Sequence, residues 1–396
     1  MMLRLLTAGE SHGPELVLIV EGLPAGLEVP VEEIDRDLAR RQAGYGRSAR
    51  STRIERDRAE VVGGLASGRT TGAPIAIRIV NRDFANQPPE PTALFAPRPG
   101  HADLAGRLKY GLLDFRLVRE RASARETAAR VAAGAIAKRL LAAFGARVGS
   151  FVLEVAGVAA ALEAPLDILT GADLERLASA ADQDALRCPD PNASDQMLTA
   201  IDEARARGET VGGVFVVVAT GAPPGLGSYV HWDHRLDGRL AQALCSIQAV
   251  KGVEIGPAFE LARHLGTQAQ DPIEWREGAI VRTTNRAGGL EGGVTSGEPI
   301  VLRAAMKPLS SVRAEMASVD FRSGEPANPP VVRSDVCAVP AAAVVGEGMV
   351  AWVLADALTE RFGQDRMDAM LAAHEAVRGV DLPGLRAGTP EEGAGA

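Results

Sequence analysis

Apolar and polar positions alternate along this chain in two distinct periods. Period-two or unbroken apolar runs at residues 16–20, 75–80, 148–158, 214–219 and 300–305 predict strands. Apolar positions spaced by three and four predict helices over 31–42, 123–144, 173–186, 194–207, 236–250 and 340–362. Both halves therefore run strand, Gly-Pro turn, helix, Gly-rich loop, strand and long helix. Irregular, proline-bearing connections at 86–99 and 325–330 fall at similar places in the two halves, and functional groups ride on such loops.

The halves also share a motif. Residues 63–75 (GGLASGRTTGAPI) and 288–300 (GGLEGGVTSGEPI) agree at eight of thirteen positions. A similar turn precedes each, GLPAGL at 22–27 and GAPPGL at 221–226. From turn to motif the chain runs 36 residues in the first half (27 to 63) and 62 in the second (226 to 288), so the second carries about 26 more. This predicts an internal duplication, with halves at about 1–147 and 148–382. The tail at 383–396 is small and polar, and is expected to be disordered.

Composition narrows the class. A chain of 396 residues with 46% hydrophobic and 24% charged residues reads as soluble and globular, either two domains or one large unit. The longest apolar stretches, near 211–219 and 336–354, are short or are broken by Pro340 and Glu347, and the first residues lack the apolar core of a signal peptide. A cytoplasmic protein without a membrane span is expected. Cys188, Cys245 and Cys337 are too few and too scattered for a disulfide framework or a metal-ligand spacing, so no metal is expected. The net charge of −8 argues against a general nucleic-acid binder. Arginine is nevertheless concentrated: eight fall between Arg36 and Arg58, and seven between Arg98 and Arg130. An acidic protein with focused arginine patches suits a small, multiply anionic ligand.

Five constellations can carry chemistry. In Gly9-Glu10-Ser11-His12-Gly13 the glycines allow positive φ and close approach of a ligand, so the turn either holds His12 as a proton donor or is a capped turn with an exposed histidine. Pro97-Arg98-Pro99-Gly100-His101 pairs a second histidine with an arginine on a rigid loop, whereas His231, His234, His264 and His374 read as solvated or structural. Ser123 and Glu126 fit an S-x-x-E capping box, and Arg121 and Arg125 flank the same helix start, where free N–H groups favour an anion. Arg333-Ser334-Asp335 reads either as a structural ion pair or as a proton acceptor, Asp335, adjusted by Arg333. Finally, the Gly-rich loop at 292–297 with the segment 307–311 can cradle a phosphate, although it is neither a Walker loop nor a Rossmann fingerprint.

Together, GESHGPELVLIVEGLPAG at 9–26, RRQAGYGR at 40–47, RPGHADL at 98–104, RASARETAARVAAGA at 121–135, GLGSYV at 225–230 and RSDVCAVPAA at 333–342 resemble the chorismate synthase family over nearly the whole chain. The resemblance implies an α+β fold, a β-α-β sandwich assembled as a homotetramer. It implies conversion of 5-enolpyruvylshikimate 3-phosphate to chorismate by 1,4-elimination of phosphate, with reduced FMN as cofactor although no net redox change occurs. Carried over residue by residue, His12 would donate a proton beside the leaving phosphate, His101 would protonate the flavin, and Asp335 would assist proton removal at flavin N5. Ser11, Arg41, Arg47, Arg50, Arg98, Arg125 and Arg333 would line the substrate site. Flavin contacts would come from Arg121, Ser123, Ala124, Gln248, Ala249, Gly292, Lys307, Pro308, Leu309, Ser310, Ser311 and Arg333. Two positions depart from the family pattern: Ala122, where a second serine is common, and Gln248, where asparagine is common. Without long insertions, the chain looks like the monofunctional type, supplied by an external flavin reductase rather than its own NADPH-driven one.

Two other classes fit parts of the sequence. One is a non-catalytic phosphate-ligand or RNA-binding protein built on the arginines at 36–58; the other is a related flavin-dependent phosphate lyase. RNA readers add exposed aromatic residues for stacking, and aromatics are only 4% here. A binder also has no use for two loop histidines and Asp335.

Overall fold

The computed structural model describes residues 3–47, 56–88, 92–276, 279–329 and 335–378. Arg50, Arg333 and the 383–396 tail lie outside the described residues.

The first sheet is antiparallel. It is built from β1 (Arg4–Gly9), β2 (Glu15–Glu21), β3 (Glu60–Gly63) and β6 (Ile75–Val80), in the order β1-β2-β6-β3. Leu16, Leu18 and Val20 on β2 and Ile75, Ile77 and Ile79 on β6 are buried, so period two turns one face inward. Leu6 and Ile19, opposite one another on β1 and β2, stay exposed on the outer face. Between β2 and β3 comes α1 (Val31–Gln42), and between β3 and β6 a small hairpin, β4 (Leu65–Ala66) and β5 (Arg69–Thr70). Next come α2 (Asp103–Tyr110), α3 (Phe115–Ala122) and α4 (Thr127–Ala142).

A second sheet follows, with strand order β10-β15-β9-β7-β8, from β7 (Arg147–Val155), β8 (Val158–Ala159), β9 (Gly213–Thr220), β10 (Val250–Ile255) and β15 (Ile300–Met306). Helices α5 (Gly171–Ala181) and α6 (Pro191–Ala206) intervene before β9, and α7 (Leu236–Cys245) precedes β10. The central strand β9 is an unbroken apolar run because both of its faces are covered. Phe151, Val216, Val218 and Val301 pack with Leu174 and Ala181 of α5 on one face, while Phe215 and Val217 join the main core on the other. The longer stretch between residues 226 and 288 also holds short helices α8 (Ala258–Leu261) and α9 (Gly266–Ala269) and the hairpin of β11 (Ile273–Arg276) and β12 (Ala279–Arg282). A further hairpin, β13 (Leu290–Glu291) and β14 (Val294–Thr295), leads into β15.

The last long element is α10 (Val339–Phe362). By length and composition it is apolar enough to cross a membrane, yet its most apolar window is 89% buried inside the protein, so it is a core helix. It packs on α4, on α7 and on β7 and β9, while α4 packs on α1 and β2, so one helical layer serves both sheets. Close approach of α4 and α10 depends on Gly134, where a Cβ would overlap Gly348 Cα. Glu347 is buried inside this layer. Arg40 donates to it at 2.7 and 2.9 Å, Lys138 at 2.6 Å and Ser150 Oγ at 2.9 Å, which ties α1, α4 and β7 to α10. Burial opposes the charge, but Lys138 and Arg40 win and hold the carboxyl well below its ordinary range.

The two motif copies make matching contacts. Thr70 Oγ1 accepts from Leu27 N at 2.9 Å and donates to Pro24 O; Thr295 Oγ1 accepts from Leu226 N at 2.8 Å and donates to Pro223 O. Gly64 and Gly289 both have positive φ, and a Cβ on either would lie 2.5 Å from the carbonyl of the following proline, Pro74 or Pro299.

Candidate active site

A cavity of about 390 Å³ opens where the first turns of α10, the start of α4 and several loops meet. The β1–β2 turn brings Ser11 and His12, the end of α1 and the loop after it bring Arg41 and Arg47, and the loop before α2 brings Arg98 and His101. The end of α3 and the 3-10 turn after it supply Arg119 and Ala122 to Arg125. Gln248 and Ala249 come from the segment before β10, Lys307, Leu309, Ser310 and Ser311 from the segment after β15, and Asp335 from the approach to α10. Among the described residues, six fixed cations (Arg41, Arg47, Arg98, Arg119, Arg125, Lys307) thus face one carboxylate, Asp335. The starts of α4 and α10 both open here, adding the positive ends of two helix dipoles. A larger cavity, about 530 Å³ beside α1, is lined by Asp37, Arg40, Lys138 and Glu347, whose charges pair with one another.

His12 sits in a turn clamped from two sides. Ser11 N donates to Glu120 O at 3.0 Å, and Asn81 Nδ2 donates to Gly13 O at 2.7 Å. Gly9 has φ +106° and no room for a Cβ, as the sequence predicts; Gly13 is not in the left-handed region, so its expected positive φ is not used. The His12 ring places Nδ1 2.8 and 3.0 Å from the Glu120 carboxylate oxygens, and His12 N donates to Glu120 Oε2 at 2.8 Å. Burial disfavours the Glu120 charge, yet the His12 side chain and backbone and the charge of Arg119 hold its pKa below the ordinary carboxylate value.

His101 is arranged alike. Its Nδ1 lies 2.5 Å from Asp103 Oδ1, and Arg98 Nε donates to Asp103 Oδ2 at 2.9 Å. Burial works against the Asp103 charge, but the hydrogen bonds from His101 and Arg98 outweigh it and depress its pKa strongly. Arg98 Nη1 also reaches Ser311 Oγ at 2.7 Å, and Lys307 Nζ reaches Gly100 O at 2.9 Å. The segment after β15 therefore braces the His101 loop.

The arginines are held as firmly. Arg41 Nε donates to Thr127 Oγ1 and Nη2 to Ala124 O, both at 2.9 Å, and Arg125 pairs with the buried Asp57. Arg47 Nη1 meets Asp335 Oδ2 at 2.7 Å. Among the described residues, then, a cation remote in sequence, Arg47, pairs with Asp335. Ser123 caps the 3-10 turn by accepting from Arg125 N and donates to Ser11 Oγ at 3.0 Å. No capping box forms, because the Glu126 carboxylate is taken by Thr7 Oγ1 and Arg130 Nε, and the helix proper begins at Thr127.

Of the residues singled out in the sequence, the structure gathers His12, His101, Asp335, Ser11, Arg41, Arg47, Arg98, Arg125, Ser123, Ala124, Gln248, Ala249, Lys307, Leu309, Ser310 and Ser311 in one lining. It leaves out Arg121, whose guanidinium donates to Thr7 and Gly9 carbonyls, Gly292 on the β13–β14 hairpin, and Pro308. The arginines at 36–58 do not form a single patch: Arg40 serves Glu347, Arg58 is exposed beside Asp35, and only Arg41 and Arg47 reach the cavity among the described residues. Both departures from the family pattern, Ala122 and Gln248, lie in the lining. Sequence reasoning gave no role to Glu120, Asp103 or Arg119. Asp103 lies two residues from His101 and was within reach of such reasoning; Glu120 is 108 positions from His12, and nothing local marks it.

The family model for chorismate synthase matches residues 3–359. The chain belongs to the chorismate synthase family. It is 53% identical over 393 residues to the chorismate synthase of Rubrobacter xylanophilus, covering 96% of this chain and 98% of the relative. Identity to that of Geobacillus kaustophilus is 49% over 389 residues, covering 95% and 98%. A crystal structure of chorismate synthase superposes with a TM-score of 0.79 at 43% identity, covering 95% of this chain and 97% of that one. The chain is accordingly a lyase of aromatic amino acid biosynthesis, and the binding-protein reading is not favoured.

Proposed function

We propose that this cavity converts 5-enolpyruvylshikimate 3-phosphate to chorismate and phosphate by 1,4-elimination, with His12, His101 and Asp335 managing the protons. The observation that carries the reading is the pair of histidines, each with Nδ1 against a buried carboxylate, on one cationic lining. A carboxylate only accepts, so Nδ1 of each ring carries hydrogen and Nε2 is the nitrogen that exchanges a proton, with Arg98 Nη2 3.2 Å from Nε2 of His101. The substrate brings one phosphate and two carboxylates. Arginines already locked by protein contacts bind such anions without losing much side-chain freedom, and planar guanidinium forks suit both groups. His12 then supplies a proton to the departing phosphate. Asp335, paired with Arg47, acts as the proton acceptor.

The lining also fits a flavin. Gln248 Oε1 is buried without a hydrogen-bond partner and suits a ring N–H. Beside it Ile247, Met306, Leu309, Ala338, Ala341 and Val345 form an apolar strip for an aromatic ring system, while Ser310, Ser311 and Lys307 suit a phosphate. When bound, reduced FMN supplies transient electron donation that lets phosphate leave and takes up a hydrogen that is not acidic. His101 stands ready to move a proton at the ring.

The matching threonine contacts and glycine turns of the two hairpins support reading the halves, about 1–147 and 148–382, as copies of one unit within a single domain. Exposed Leu6, Ile19, Val62 and Val80 on the first sheet support assembly of several copies, taken from the family likeness as a homotetramer. A cytoplasmic setting fits the few, scattered cysteines, and an outside source of reduced flavin is taken from the family likeness.

In the test, His12→Ala and His101→Ala each lose about 10²- to 10⁴-fold in turnover, the range for a positioned acid or base. Equilibrium dialysis still finds FMN and substrate bound. Turnover near wild type in both variants refutes the proton-transfer roles.

A further inference from the structure

We propose that Glu120 is the positioning residue for His12, a buried carboxylate that fixes the tautomer and aim of the ring so that Nε2 faces the reacting ligand. This rests on the reading of His12 as a proton donor and adds a residue that neither the motif nor its spacing reveals. Glu120 lies in the last turn of α3 with its side chain only 7% exposed, while the His12 side chain is 28% exposed and borders the cavity. One carboxylate makes three contacts: Oε1 and Oε2 to Nδ1 at 2.8 and 3.0 Å, and Oε2 to the His12 backbone N–H at 2.8 Å. A residue needed only to hold the turn would be satisfied by backbone contacts, and Ser11 N to Glu120 O already provides one. The bond to Nδ1 goes further, because it decides which ring nitrogen carries hydrogen.

The proton count is simple. One proton passes from Nε2 of the imidazolium to the departing phosphate oxygen, which leaves with the electron pair of the C–O bond. The neutral ring that remains is the Nδ1–H tautomer, still hydrogen-bonded to Glu120, and Nε2 regains its proton from water before the next turnover. Without the carboxylate the neutral ring divides between two tautomers and its imidazolium loses a counter-charge. Asp103 stands in the same relation to His101 but also anchors Arg98, so its removal disturbs a substrate arginine as well. Glu120 is the cleaner probe.

The test uses Glu120→Gln, Glu120→Asp, His12→Ala and the double variant His12→Ala/Glu120→Gln in the full-length enzyme. Glu120→Gln keeps the shape but sets an amide NH₂ against a donor. Steady-state turnover with reduced FMN falls about 10²-fold in kcat, with KM changed less than about threefold, and Glu120→Asp recovers about tenfold of the loss. In the His12→Ala background the same substitution changes kcat less than about twofold, since a residue acting through His12 has nothing left to position. Nitrogen NMR of protein labelled in its histidine rings, with neither flavin nor substrate present, shows His12 as the Nδ1–H tautomer in the wild type and as a mixture in Glu120→Gln. A kcat within twofold of wild type for Glu120→Gln, an unchanged tautomer, or equal losses in both backgrounds overturns the proposal. If His12→Ala itself keeps full turnover, the proton-donor reading falls first, and with it this extension.

Discussion

Asp103 and Glu120 share one electrostatic logic, and it has a consequence in acid. Each carboxyl is partly desolvated, which favours the neutral form, yet each is held below its ordinary pKa by a histidine at 2.5 to 2.8 Å. A depressed folded pKa means that the unfolded chain takes up protons first as pH falls. The stabilisation is therefore complete above the unfolded value, about 4, and is lost as pH drops from there through the lower folded values. The thermal midpoint is expected to fall more steeply below pH 4 for the wild type than for Asp103→Asn, measured by circular dichroism; parallel profiles would count against the account. His12, His101 and the arginines were legible in the sequence because elimination of phosphate from a polyanion calls for those residue types on glycine and proline loops. Their carboxylate partners were less so: the partner of His12 is set by how α3 docks on the β1–β2 turn, and no local pattern encodes that.

Two helices bring these loops together. α4 and α10 each enter the cavity by their N-terminal turns, and Gly134, seven residues past the start of α4, lies against Gly348, nine past the start of α10, so the spacing between the helix starts depends on that contact. Gly134→Val should cost about 1–3 kcal/mol by overpacking, read from urea unfolding, and should lower activity by spreading the lining. Unaltered stability would mean that the helices are not locked there. At this scale the sequence was most readable: strands predicted at 16–20, 75–80, 214–219 and 300–305, and helices at 31–42 and 340–362, differ from the observed bounds by a residue at most per end. β1 was not foreseen because its alternation never fully buries either face, and the run at 236–250 hid a change from α7 to β10. That change passes through Ala249, whose φ of +68° ends the helical path and aims Gln248 at the cavity.

Seen as a whole, the molecule is a pair of sheets on one helical layer, with a cationic hollow at the end where the helices start. The whole chain carries a net charge of −8, while among the described residues six cations against one carboxylate line the hollow, an arrangement that draws a small polyanion inward. Repetition of the Gly-Gly-Leu motif was visible along the chain; the convergence of residues 11–12, 98–101, 248–249, 307–311 and 335 was not, since it depends on contacts spanning hundreds of positions. The most direct measurement follows phosphate release and chorismate absorbance from 5-enolpyruvylshikimate 3-phosphate under anaerobic conditions, with and without reduced FMN. The account predicts phosphate and chorismate in equal amounts, formed only when the reduced flavin is present. Absence of chorismate with flavin supplied, or its formation at the same rate without flavin, would contradict it.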